Sequence, residues 1–154
     1  MDFSNVTNGI LRHIAAWEQK LIELPVETIT QNRNKQNRTI KQILGHLIDS
    51  AANNHQRMVR LQYNDRLTFP DYQQDNDLWI VLQDYQNADW NIIIQLWKYY
   101  NLHMIQVIKS VDQSKLNNSW LSFENTTVTL QQMIEGYLGH IDLHLGEIQE
   151  LIDK

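Results

Sequence analysis

Apolar residues recur three and four positions apart along most of the chain, the period of a helix with one buried face. Across residues 4–24 this rhythm places Ile10, Ile14, Trp17 and Leu21 together. Pro25 should stop that helix, because the residue before a proline resists the helical conformation. Residues 25–37 then read as a polar connection. A second helix is predicted from Thr39, a suitable N-cap, to about residue 62, with Ile43, Leu44, Leu47, Ile48 and Ala51 inward. A third covers residues 90–111, with Trp90, Ile93, Trp97, Tyr100, Met104 and Val107 on one side. The fourth covers residues 130–152 along a seam of Leu130, Ile134, Tyr137, Ile141, His144, Ile148 and Leu151. The pattern predicts an all-α fold, a four-helix bundle with one longer crossover, formed by a single domain over residues 1–154.

Two segments escape the pattern. Residues 63–79, YNDRLTFPDYQQDNDLW, are longer than most helix connections and are expected to carry function, with a short helix near residues 78–85. Residues 112–129 are polar and broken by SKLNNSW.

Composition narrows the chemistry. The net charge is −5 and no basic run occurs, which argues against nucleic acid as a partner. There are no cysteines, so disulfides, thiolate nucleophiles and sulfur-ligated zinc are excluded, and any metal must be held by nitrogen and oxygen. No apolar run is long enough for a membrane span. The opening residues MDFSNVTNGILRHIAAW lack the features of a secretory signal, so a cytoplasmic location is expected.

The sharpest local feature is His140-Ile-Asp-Leu-His144. Residues four apart on a helix differ by about 40° in direction and about 6 Å in height, so both imidazoles can reach one ion. Asp142, between them, points away toward solvent. The pair alone is weakly specific, but His144 falls in the apolar seam where an aliphatic residue belongs, and a buried imidazole needs hydrogen-bond partners or a metal. His46 is a similar anomaly among Ile43, Leu44 and Leu47, and it opens a polar stripe through Asp49, Ser50 and Asn53. Taken singly, each histidine also reads as an ordinary structural side chain. Together, His46, His140 and His144 can form a tris-imidazole site for a divalent metal with a position left open. Zinc or nickel suits this donor set foremost, with cobalt, iron and manganese also compatible.

The segment TIKQILGHLIDSAANNHQRMVRLQ resembles the second helix of the DinB-like (YfiT-type) superfamily, and GYLGHIDLHLGEIQ resembles its last helix. FPDYQQDNDLW and LWKYYNLHMIQVI are similar to the intervening parts of one branch, so the resemblance covers roughly residues 35–152. It implies a four-helix bundle, often a homodimer, with a metal held by one histidine of the second helix and two of the last. Those positions correspond to His46, His140 and His144. The resemblance further implies a metal-dependent thiol transferase, using a low-molecular-weight thiol such as bacillithiol or mycothiol, or a hydrolase acting on a small molecule. The sequence departs from the pattern at Arg38, where relatives often carry tryptophan.

Other polar residues are ambiguous. Asp49 can orient a ligand imidazole, cap a neighbouring helix or pair with Arg57. Glu147, one turn beyond His144, can serve as a general base, although a solvated side chain is the commoner fate. His103 lies on an apolar face as a substrate contact or a core-edge side chain. His55 is expected on the opposite side of its helix from His46, and His13 has no evident role. Three functions compete: a metal-dependent enzyme, a non-catalytic metal-stabilised binding protein using the 63–79 loop as its surface, and a helical dimer with vestigial histidines.

Overall fold

The computed structural model describes residues 1–68, 74–122 and 124–154. Helix α1 spans Ser4–Ile22 and closes when the Glu23 N–H turns back to Gln19 and Leu21 carbonyls. Pro25, extended at φ −61° and ψ 145°, then opens a further short helix, α2 (Val26–Gln31). The connection predicted for residues 25–37 therefore holds a helix, too short for periodicity to reveal, with Ile29 as its buried residue. Helix α3 (Ile40–Arg60) begins with a capping box: Thr39 Oγ1 accepts the Gln42 N–H, and the Gln42 side chain accepts the Thr39 N–H. Helix α4 (Asn76–Leu82) is capped by Asp75 and starts two residues earlier than the apolar pattern suggests.

Helix α5 (Trp90–Lys109) buries Ile93, Ile94, Trp97, Asn101, Met104, Ile105 and Ile108. Its inward face is thus rotated from the predicted one: Asn101 enters the core, and Tyr100 and Val107 lie at its margin. Asn101 is tolerated there because its amide donates to the Trp97 carbonyl at 2.8 Å and its oxygen accepts the Tyr137 hydroxyl at 2.8 Å. Helix α6 (Leu130–Ile152) repeats the α3 device, a Thr129/Gln132 capping box, and every residue of its predicted seam is buried.

The long helices α1, α3, α5 and α6 form the bundle. α3 packs on α5 and α6, and α1 packs on the same two, so α1/α3 and α5/α6 are the diagonals. Beside the bundle, three short strands form a sheet in the order β1 (Arg66–Thr68), β2 (Ser119–Leu121), β3 (Thr127–Thr129). β1 runs parallel to β2, with Leu67 opposite Trp120, and β2 runs antiparallel to β3, with Trp120 opposite Val128. The sheet draws the two long connections together and delivers the chain directly into α6. No helix among the described residues is long and apolar enough to cross a membrane.

Candidate metal centre

His46 enters from α3, and His140 and His144 from α6, the helix packed beside it. His46 and His144 are buried and His140 is half-buried. The Nε2 atom of His144 lies 3.1 Å from that of His46 and 3.2 Å from that of His140. One nitrogen from each of the three rings lies within 4.8 Å of the others. The rings meet edge to face, with interplanar angles of 63° to 79°.

Glu147 decides the tautomer of the central ring. Its Oε2 lies 2.8 Å from His144 Nδ1. A carboxylate accepts, so Nδ1 carries the proton and Nε2 presents its lone pair. That single lone pair has room for one well-directed N–H, yet two ring nitrogens approach it. A cation between the rings resolves the crowding: tetrahedral coordination at ordinary metal–nitrogen lengths puts neighbouring ligand nitrogens about 3.3 Å apart. The donor set and its spacing therefore fit a divalent ion, and these three residues could hold one.

Electrostatics favours neutral, ligating imidazoles. Burial lowers the His46 pKa to about 3, helped by His144, His140 and, least, Arg38. Burial likewise lowers that of His140 to about 4, with His144 adding to the effect and Glu147 opposing it. The buried Nδ1 of His140 has no hydrogen-bond partner among the described residues.

A cavity of about 470 Å³ opens over the three rings, walled by Ser50, Asn54 and Arg57 of α3, Trp120 of β2, and Gln74 and Asn76 from the 63–79 segment. That long connection reaches the site through Gln74 and Asn76; its residues 69–73 lie outside those described. The Gln74 amide nitrogen sits 3.3 Å from Ser50 Oγ and 3.5 Å from His46 Nδ1. The Arg57 guanidinium lies over the Trp120 ring, 3.9 Å from its centroid. Nothing in the spacing of the sequence brings these two together; the β1–β2 pairing does.

Asp49 takes none of its predicted roles. It is buried and accepts from the Tyr85 hydroxyl at 2.7 Å and the Gln83 amide at 2.8 Å. Burial outweighs those bonds and raises its pKa. Glu147, expected to be solvated, instead orients His144, a role its spacing of three residues from that histidine permits. His103 is exposed and stays apart from the triad, its ring 4.9 Å from that of His55. His55 is half-buried rather than on the surface, with Nδ1 3.0 Å from the Tyr100 hydroxyl. His13 pairs with the exposed Asp142, tying α1 to α6.

The profile of the DinB superfamily matches residues 10–148, which adds most of α1 to the region carrying the resemblance. No curated protein matches the chain in sequence. Among solved structures, the fold is similar to one described as YfiT from Bacillus subtilis, a probable metal-dependent hydrolase with an unusual four-helix bundle topology. The TM-score is 0.83 at 18% identity, covering 97% of this chain and 85% of that one.

Proposed function

The chain belongs to the DinB superfamily, and from that premise we propose that it is a metal-dependent enzyme acting on a small molecule, with His46, His140 and His144 as the ligands of one divalent ion. The observation that carries this reading is the convergence of the His46 and His140 Nε2 atoms on that of His144, at 3.1 and 3.2 Å. The hydrolase named for the similar YfiT structure supports the same broad class. An ion held by three imidazoles supplies Lewis-acid chemistry, polarising an oxygen or sulfur donor brought to it.

The chain's own residues bias the choice of reaction. Among the described residues lining the cavity there is no Asp or Glu, and Glu147 is committed to His144. Hydrolysis asks for a base to take a proton from water. A thiol, with an ordinary pKa of about 8.5, gives up its proton far more readily. We therefore favour transfer of a low-molecular-weight thiol over hydrolysis. That no Asp or Glu stands among the described lining residues keeps the non-catalytic binding protein as the second reading.

Cobalt substitution separates the two. The visible spectrum of the cobalt-loaded protein is expected to shift when a small thiol or azide is added, because the cavity leads to the ion. A spectrum indifferent to both would contradict an accessible catalytic site. Pairing of copies belongs to the same proposal: Ile92, Leu96 and Tyr99 of α5 are 68%, 45% and 61% exposed and form one apolar face. Sedimentation should show a dimer that Leu96→Glu dissociates; a monomeric wild type would refute it.

A further inference from the structure

A second pair of imidazoles stands outside the candidate metal centre. His55 follows His46 on α3 by nine residues. That is about 13 Å along the axis and about 180° around it. It faces α5, which runs alongside α3 in the same direction: Lys41 donates to the Ala88 carbonyl at 2.6 Å near one end, and His55 meets Tyr100 further along. His103, one turn beyond Tyr100, sets its ring against that of His55. The centroids are 4.9 Å apart and the rings are almost perpendicular, at 89°. His55 is half-buried and His103 exposed, so the pair opens to solvent.

That spacing is one a shared ion requires. At a metal–nitrogen length of about 2 Å, each ring centroid lies about 3.2 Å from the ion, and angles of about 90–110° at the ion put two centroids about 4.5–5.2 Å apart. The ring pairs among His46, His140 and His144 span 4.6 to 5.4 Å, so the two places share a spacing. Tyr100 can also do for His55 what Glu147 does for His144. Its hydroxyl oxygen lies 3.0 Å from His55 Nδ1. When Nδ1–H donates to that oxygen, Nε2 keeps its lone pair for an ion, and the ring is held in one orientation. Burial, and to a lesser degree His103, lowers the His55 pKa, which favours the neutral ring that can ligate.

We infer that His55 and His103 form a second metal site, a two-imidazole chelate for a late first-row divalent ion whose remaining positions are taken by water. Nitrogen donors bind copper most tightly in this series, so copper(II) is the ion of choice for testing it. Two ligands at the surface hold an ion less firmly than three converging ones, and the site suits an ion that exchanges with solvent. The inference does not rest on the proposed function, because it uses neither the cavity nor the residues around it.

Copper(II) titration of the full-length His140→Ala/His144→Ala variant, followed by electron paramagnetic resonance, tests it with the first centre removed. About one copper per chain should still bind, with a spectrum showing nitrogen ligation. Adding His103→Gln should weaken that binding about tenfold or more, since losing even a group behind a ligand costs that much. His55→Gln should do the same, and Tyr100→Phe should weaken it less. Should the combined variant fail to fold, His103→Gln alone serves, because that ring is exposed; the protein should then bind one copper fewer than wild type. Absence of nitrogen-ligated copper in the variant lacking the first centre would overturn the inference. Copper binding unchanged by His103→Gln would also overturn it, placing the ion on another group. The two metal proposals fail separately: zinc uptake that depends on His140 and His144 can persist when copper binding at His103 is absent, and the reverse.

Discussion

Glu147 accepts the Nδ1–H of His144, and through that bond it sets which nitrogen faces the other two rings. Removing it should loosen the site without disturbing the bundle. Glu147→Ala is expected to weaken zinc binding about ten- to a hundredfold, measured by competition with a chromophoric chelator, while helix content stays unchanged. Undiminished affinity would show that His144 needs no such partner. The imidazoles also link folding to pH. His46 and His140 titrate near 6.5 when unfolded but at about 3 and about 4 when folded. In that interval the unfolded chain binds the extra protons, so metal-free protein should lose stability as pH falls from about 6.5 toward 4. Asp49 works in the opposite sense, because its raised pKa lets the folded state take up a proton first. Urea midpoints at pH 7 and 5 should therefore differ less in a His46→Gln/His140→Gln variant than in wild type; an equal difference would contradict the account. His46 and His144 were legible in the sequence because they interrupt apolar positions on two helices, and His140 because it stands four residues before His144. Asp49 was misread because its partners, Gln83 and Tyr85, lie 34 and 36 residues away, beyond the reach of helical spacing.

At the scale of elements, α3 depends on both its start and its bare face at Gly45. A Cβ at Gly45 would fall inside the space of the Tyr85 ring, which packs there beside His46 and donates to Asp49. Gly45→Ala is expected to cost about 1–3 kcal/mol by overpacking, read from urea denaturation. The capping box at Thr39 is a separate support, since its hydroxyl also donates to Gln86 at 2.6 Å. Thr39→Ala should cost about 1 kcal/mol in the same assay, and no loss would mean that α3 is held by packing alone. The long helices were readable because their apolar faces repeat over several turns. The strands were not: each has three residues, too few to establish alternation, and the parallel β1–β2 pairing joins segments distant in sequence. The rotation of α5 was hidden for a different reason. Asn101 occupies a core position that an apolar pattern excludes, and only its bonds to Trp97 and Tyr137 make that acceptable.

For the molecule as a whole, the bundle brings α3 and α6 side by side and so closes the distance between His46 and the His140/His144 pair, 98 residues apart at its closest contact. The sheet then sets Trp120 against Arg57 of α3 in the lining of the same cavity. The bundle and the donor set could be read from residue order; the cavity could not, because its walls come from the paired strands and from a connection with no period of its own. The central claim is that this juxtaposition holds one divalent ion. The most direct test is the metal content of protein purified without chelator or histidine tag, by plasma mass spectrometry, beside a His140→Ala/His144→Ala variant. About one zinc or nickel ion per chain in the wild type, lost in the variant, is the predicted result for a three-histidine site. No metal in either protein, even after incubation with zinc and nickel salts, would contradict it.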